Sequence, residues 1–288
     1  MFLLSVPGDL PIQRGDLTRM DLASIGAITF DFGNTLVPVD RAGLRRVVEE
    51  TATVVVERLG PFTPDAFLAA WAEERERQFR EEVPQFREVD LAERFVRVLA
   101  RLRGMPPPPA DERWDQAGAA TRSDPAEIEW AVGAYSEAFV RGMPVDPSIE
   151  RVLAGLARHA TLAILSNWPL AATVDRYAEA AGWLPHLRAI VISQRVGTIK
   201  PHPAIFAEAR RLLGNPEPDT ILHVGDDWAA DVVGAVRAGW RAAYVTDRPR
   251  DSPLPASERD ETVEADLEID SVARLPALFE AAAAQPRR

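Results

Sequence analysis

The 288-residue sequence predicts an α/β fold: a three-layer, doubly wound parallel sheet of Rossmann-like form, interrupted by an all-helical insertion. Three observations predict it. Beyond residue 144, short apolar runs of strand length alternate with helical spacing, as expected for a parallel sheet covered on both faces. One more run of that kind, Ala27-Ile28-Thr29-Phe30, stands alone far upstream. Between the two regions, from Arg41 to Val140, the apolar residues follow only the three-four repeat of helices.

The elements follow in order. Residues 1–24 read as an N-terminal extension, broken by Pro7, Gly8, Pro11 and Gly15, with Met20 as an alternative start. Ala27 to Phe30 reads as a buried strand that delivers Asp31 to its carboxyl end, ahead of the Gly33-Asn34 turn signal. Helical spacing follows in Leu44, Val47, Val48, Thr51, Val54, Val55 and Leu59, and again in Leu91, Phe95, Val98, Leu99 and Leu102. Phe67, Leu68, Trp71 and Phe79 mark a further helix, and Ile128, Val132, Tyr135 and Phe139 another. Strands are expected at 162–165, 189–193, 220–224, 242–245 and 267–269. Helices are expected at about 148–158, 170–181, 203–213, 229–238 and 271–284. The predicted division is therefore a core of 25–39 and 144–288, with 40–143 inserted after the first strand; Pro38 and the Pro144–Pro147 segment mark the crossings.

Composition narrows the function. A net charge of −11 argues against nucleic acid or an anionic membrane as partner. With no cysteine, disulfides, thiolate metal sites and a cysteine nucleophile are excluded. Met1 to Leu4 is too short for a secretory core and no stretch approaches the ~20 apolar residues of a membrane helix. A cytoplasmic protein is expected; no motif specifies an oligomeric state.

Polar residues gather where predicted strands end, which is where open parallel sheets bind ligands. Asp31-Phe32-Gly33-Asn34-Thr35 follows the first strand, Ser166-Asn167 the second, and Gly225-Asp226-Asp227 a later one, with Asp231 further on. The chain's only lysine, Lys200, lies in Gly197-Thr198-Ile199-Lys200-Pro201; every other cation among the 33 Lys and Arg is arginine. Lysine is a compact point charge that fits a crowded anionic site where a guanidinium fork does not. Asp31, Asp226, Asp227 and Asp231 would repel one another without a cation, and Mg²⁺ prefers such hard oxygen ligands. Taken singly, each aspartate reads as a helix cap or solvated loop residue ahead of a ligand; it is their grouping at adjoining strand ends with the sole lysine that points to a site. Pro169, read as the first helical residue, predicts a very short loop whose free N–H groups, with the Ser166 hydroxyl, form an anion site. Together these parts predict phosphoryl transfer.

In order and spacing the motifs resemble those of the haloacid dehalogenase superfamily, subfamily I with a helical C1 cap. Asp31 to Leu36 resembles the first motif, Ser166 the second, Gly197 to Pro201 the lysine motif, and Gly225-Asp226 with Asp231 the fourth. The resemblance covers about residues 25 to 245 and implies a mechanism. Asp31 is the nucleophile that forms an aspartyl-phosphate, Ser166 and Asn167 bind the phosphoryl group, and Lys200 neutralises charge between them. Mg²⁺ is the implied cofactor, held by Asp31, the Gly33 carbonyl and Asp226. Asp231 supports the metal shell or orients Lys200, while Asn34 and Thr35 hold the loop around the nucleophile and contact substrate. The implied substrate is a small phosphorylated metabolite, and the cap is expected to open and close over the site.

One position departs from the pattern. Phosphatases of the family carry an aspartate two residues after the nucleophile as general acid and base; here that residue is Gly33. General acid–base help contributes about 10²–10⁴ in rate, so the glycine predicts a preference for acyl, aryl or anomeric phosphates. It also keeps two alternatives open: a metal-free 2-haloacid dehalogenase, and a catalytically weak phosphate-binding or regulatory protein. His159, His186, His202 and His223 show no metal-ligand spacing; His202, close to Lys200, reads as a cap or solvent-facing residue ahead of a substrate contact. Arg80, Arg87 and Arg141, like the Arg210-Arg211 and Arg287-Arg288 pairs, read as surface charge; Trp168 and Trp228 read as pocket walls or as packing.

Overall fold

Apolar strands that cannot leave their backbone groups unpaired in a core assemble here into a single six-stranded parallel sheet. A computed structural model describes residues 20–109, 111–114 and 117–284. Most of the expected N-terminal extension, and the Arg287-Arg288 pair, lie outside the described residues. The strands are β1 (Ala27–Phe30), β2 (Thr161–Ser166), β3 (Leu187–Ile192), β4 (Ile221–Gly225), β5 (Arg241–Val245) and β6 (Leu267–Ile269). Their order is β3-β2-β1-β4-β5-β6, and every pairing is parallel. Phe30 lies opposite Ile164 of β2 and Val224 of β4, so the three central strands end within two residues of one level. The direction of winding reverses beside β1, which makes a crevice at the carboxyl ends.

The helices are α1 (Arg41–Leu59), α2 (Pro64–Glu81), α3 (Leu91–Leu102), α4 (Ala117–Ala120), α5 (Pro125–Gly142), α6 (Pro147–Leu156), α7 (Ala171–Ala180), α8 (Ser193–Val196), α9 (Pro203–Leu212), α10 (Gly234–Arg237) and α11 (Leu275–Ala283). Many starts share one local device. A side chain accepts an otherwise orphaned N–H, and a proline with its φ already helical comes next: Thr63-Pro64, Asp124-Pro125, Asp146-Pro147 and His202-Pro203. Helices α1 to α5 all lie between β1 and β2 in the chain. Phe67, Trp71, Phe95 and Tyr135 form their aromatic core. Phe139 of α5 then packs against Phe32, Trp168 and Tyr177, joining the helical block to the sheet through one continuous apolar cluster.

Four expectations need correction. Helix α7 starts at Ala171 with Leu170 as its cap, so Pro169 precedes the helix. Its carbonyl accepts from Leu91 N–H at 3.0 Å, a bond to the helical block that draws the chain away from helical geometry. The helix expected at about 229–238 is a π-helical turn, Trp228–Val233, followed by α10, and such turns often re-aim side chains at functional sites. Strand β3 runs from Leu187 and ends at Ile192, because Ser193 already opens α8. At the N-terminal side, Asp21 caps a 3₁₀ turn at Leu22–Ser24 whose Leu22 packs into the core, while Asp21, Ala23 and Ser24 stay exposed, so the end of the expected extension is anchored. None of the described helices is long and apolar enough to cross a membrane.

Candidate active site

The site is built on Lys200, whose ammonium is almost fully buried. Burial alone would favour the neutral amine. Instead Nζ donates to Asp31 Oδ1 at 2.8 Å, to Asp231 Oδ1 at 2.6 Å and to the Leu165 carbonyl at 2.9 Å, which uses all three of its hydrogens. The two carboxylates outweigh desolvation and hold the lysine pKa above its ordinary value. Asp231 moves the other way: burial would raise it, but Lys200 and His223 keep it well below the usual carboxylate range. Its position depends on Gly225, because a Cβ there would run into the Asp231 carboxyl group.

Asp31 leaves the end of β1 in contact with this lysine. Burial is the largest influence on its carboxyl and raises it to about 6, with Lys200 pulling the other way and Asp231 adding repulsion. Asp226, at the end of β4, is raised further, to about 8, by burial and by Asp31 and Asp231, despite the Arg248 guanidinium 3.0 Å from its Oδ2. Asn34 and Thr35 both donate to the Asp226 carboxylate at 3.3 Å, and Asn34 Oδ1 accepts from Val39 N–H. They hold the loop after β1 against Asp226. Asp227 caps the π turn through Ala230 N–H and accepts from Ser257.

Oxygens of Asp31, Asp226 and Asp231 all lie within 4.8 Å of one another. Three carboxylates this close, with Asp31 and Asp226 raised by burial and by neighbouring negative charge, suit a hard divalent cation. The donor set fits Mg²⁺, with the Gly33 carbonyl following Asp31 by two residues.

Ser166 is fully buried at the end of β2, and among the described residues its hydroxyl has no hydrogen-bond partner. It stands near enough to Asp31 to help hold the negative charge. A buried hydroxyl without a partner is costly, and a ligand oxyanion would satisfy it. Asn167 is placed differently from the expectation that it binds substrate. Its amide donates to the Lys200 carbonyl at 3.0 Å and accepts from Lys200 N–H at 2.6 Å, so the side chain holds the lysine loop instead. The N–H groups expected to bind an anion are likewise occupied at two positions: Trp168 N–H donates to Ser193 Oγ and Ala171 N–H to Gln194 Oε1.

Three participants were not found by motif reasoning. His223 in β4 is buried, its Nε2 3.0 Å from Asp231 Oδ1 and its Nδ1 2.8 Å from Thr29 Oγ1. The network assigns the proton to Nε2, with the Thr29 hydroxyl donating to Nδ1; burial, then Lys200, lowers its pKa and keeps it neutral. A polar residue inside the apolar run Ile221-Leu222-His223-Val224 was the available signal. Arg248 and Leu254 come from the long loop after β5, where no periodicity marks a site. A Cβ added to Gly33 would lie 2.5 Å from Leu254 Cδ1 and 3.0 Å from Trp168 Cζ3, so the space of the absent acid is filled by hydrocarbon.

Above these groups lies a cavity of about 530 Å³, the size of a small-metabolite pocket. Asp31, Lys200 and Asp226 form its floor; Phe79, Val83, Phe86 and Leu91 of the helical block contribute to its walls. Trp168 is one of its walls, whereas Trp228 is packed against Tyr244 and Arg259. The block is fastened down here: Phe86 O accepts from Ile199 N–H, and Glu88 accepts from the Ser193 hydroxyl. A shallow depression of about 510 Å³ at the opposite end of the strands, beside Gly26, His159 and His186, lacks any carboxylate.

Residues 25–239 match the family described as haloacid dehalogenase-like hydrolase. Pyrimidine 5'-nucleotidase YjjG of Escherichia coli K12 is 29% identical over 126 residues, 42% of this chain and 55% of that protein. Altogether the chain spans 33% to 55% of the length of the curated relatives it matches. In fold it is similar to 2-haloacid dehalogenase from Pseudomonas syringae pv. tomato DC3000, with a TM-score of 0.59 and 21% identity over 89% of this chain and 99% of that one. It is also similar to the HAD-hydrolase YfnB from Bacillus subtilis, solved bound to magnesium, with a TM-score of 0.51 and 17% identity over 88% and 98% of the two chains.

Proposed function

We propose that this chain, which belongs to the haloacid dehalogenase-like hydrolases, is a Mg²⁺-dependent phosphoric monoester hydrolase of small phosphorylated metabolites. The observation that carries the reading is the convergence of Asp31, Asp226 and Asp231 around Lys200, with the unpartnered Ser166 hydroxyl beside Asp31. A carboxylate nucleophile, a fixed cation and an oxyanion donor are what phosphoryl transfer requires. The nucleotidase named among the relatives supports the same class of substrate.

Asp31 Oδ1 is held by Lys200, which leaves Oδ2 to attack phosphorus. That attack forms an aspartyl-phosphate and breaks the bond to the leaving oxygen, which takes its proton from water. Water then attacks the same phosphorus, releasing phosphate and the free carboxylate. Ser166 donates to the phosphoryl oxygens, and Lys200 offsets their charge while Asp231 and His223 keep the ammonium aimed. Asn167 positions Lys200 through its peptide. Magnesium bound by Asp31, Asp226 and the Gly33 carbonyl would neutralise further phosphoryl charge. With Leu254 and Trp168 where an acid would stand, leaving groups that need little protonation are favoured. In this reading 25–39 and 144–288 form the catalytic core, 40–143 the cap, and the enzyme works in the cytoplasm.

The same hydrocarbon wall motivates a second reading, a metal-free 2-haloacid dehalogenase. The three clustered carboxylates argue against it, since nothing in that chemistry uses Asp226. Phosphate release from para-nitrophenyl phosphate by wild type and Asp31→Asn, with Mg²⁺ or chelator, tests both. Metal-dependent turnover that falls at least about 10³-fold in the variant is expected. Chloride release from 2-chloropropionate in chelator would overturn the phosphatase reading, and neither activity in a folded protein would leave a phosphate-binding scaffold.

A further inference from the structure

Arg94 of α3 is 4% exposed, yet among the described residues no carboxylate lies within ion-pair distance of it. The other buried arginine and most buried glutamates of the helical block are paired; Glu88, held by Val89 N–H and Ser193, is the exception. Glu74 meets Arg77, Arg97 and Arg101, while Glu93 and Glu82 both meet Arg113. The other buried arginine, Arg97, holds Glu74 and the Pro108 carbonyl. Arg94 instead lines the cavity whose floor is Asp31 and Lys200. The nearest acids are committed elsewhere: Glu88 accepts from Val89 N–H and Ser193, and Asp90 accepts from Ala92 N–H, Glu93 N–H and Gln194. Burial, with the nearby Arg75 charge adding to it, outweighs Tyr135, Glu88 and Asp90 and pulls the guanidinium down to about 10, the mark of a cation short of compensation.

The side chain is nonetheless held firmly. Nε donates to Gln78 Oε1 at 2.8 Å, Gln78 in turn donates to the Asp90 carbonyl, and the guanidinium lies 4.9 Å above the Trp71 ring. Neither terminal nitrogen takes part in a hydrogen bond among the described residues. Tyr135, 5% exposed and stacked on the same Trp71, lines the cavity as well, and its hydroxyl has no hydrogen-bond partner among those residues. A rigid fork of donors beside a phenol, on a wall that Arg75 and Glu88 also line, is built to take a planar or tetrahedral oxyanion.

We propose that Arg94, with Tyr135 beside it, is the specificity determinant of this pocket and binds a second anionic group of the substrate, a carboxylate or a second phosphate. The substrate is thus a small phosphate ester with anions at two ends, one over Asp31 and one under Arg94. This assignment rests on the phosphatase reading for what binds over Asp31. An uncharged analogue would leave the guanidinium buried and unpaired, and is rejected for that reason.

The test is calorimetric and needs no turnover. ω-Phosphonocarboxylates with one to four methylenes are compared with alkylphosphonates of the same length, and with the corresponding bisphosphonates. Wild type is expected to bind one length of the doubly anionic series about 10–100-fold more tightly than its alkyl counterpart. The preferred end group tells carboxylate from phosphate. In Arg94→Gln the preference should fall to less than about 3-fold; Arg94→Lys and Tyr135→Phe, which disturb packing less, should each reduce it in part. No preference at any length in wild type, or a preference left undiminished in folded Arg94→Gln or Arg94→Lys, overturns the proposal. Failure of the phosphatase reading shows separately, as absent turnover of para-nitrophenyl phosphate.

Discussion

The strand ends and the helical block both bury charge, and they balance it in opposite ways. At the strand ends one lysine serves Asp31 and Asp231, and removing it leaves no substitute cation beside Asp231. In the helical block Glu74 is shared by Arg77, Arg97 and Arg101, so each arginine has a deputy. The redundant lattice is structural: its charges face one another between α2 and α3 and leave none for a ligand. The strand-end cluster is over-supplied with negative charge and has an oxyanion donor with nothing to bind. The lesson is that buried charge marks a functional site where it is left unbalanced, a criterion that Asp226 meets at one wall of the cavity and Arg94 at the other.

Removing one cation from each region gives the largest contrast. Lys200→Met leaves two buried carboxylates uncompensated and should cost about 3–5 kcal/mol of unfolding free energy at neutral pH. Arg97→Met, which leaves Glu74 with two partners, should cost roughly half of that or less. Urea unfolding of both variants checks the difference; equal losses would mean that the lattice is no more redundant than the site.

A second experiment alters the hydrocarbon wall over Asp31. Gly33→Asp alone forces Leu254 aside, so overpacking should blunt any gain. With Leu254→Ala added, the carboxyl has room, and the ratio of alkyl to aryl phosphate turnover should rise by about 10²-fold or more, towards the general-acid contribution. An unchanged ratio in a folded double variant would show that the leaving group does not sit beside residue 33.

The smallest expected effect is a pH dependence led by the strand ends, to which the raised carboxyls of Glu88, Asp90 and Glu93 add in the same sense. Asp226 and Asp31 have folded pKa values of about 8 and about 6, above their ordinary value of 3.8, so the native protein binds more protons than the unfolded chain in between. Stability therefore falls as pH rises from about 4 to about 8 in chelator. Asp231, held low, contributes in the opposite sense, and only in strong acid. A Tm lower by a few degrees at pH 8 than at pH 5.5 is expected, with the loss reversed by Mg²⁺ and reduced in Asp226→Asn. A Tm indifferent to both pH and Mg²⁺ would argue that Arg248 already balances Asp226 in full.

Much of this was legible in the sequence, because its signals are local. Four-residue Ala27–Phe30 has no amphipathic alternative to a buried strand, and Asp-Pro or Thr-Pro pairs specify helix starts through one hydrogen bond and one fixed φ. Strand-end placement then brings Asp31, Ser166 and Asp226 within about one residue of a common level, because the parallel strands end close together. What tertiary structure alone decided are the contacts between segments far apart in the chain. Leu91 and Pro169 meet only in the fold, and that contact moves the start of α7 to Ala171. Asn167 faces either a ligand or the Lys200 peptide depending on where a loop 33 residues later returns. Leu254 fills the space over Gly33 from 221 positions away, and Arg94 is a helix residue like its neighbours until burial and the position of every carboxylate around it are known. Residue type and periodicity determine which elements form and what chemistry they carry; only the packed molecule determines which charges remain uncompensated, because desolvation depends on all neighbours at once.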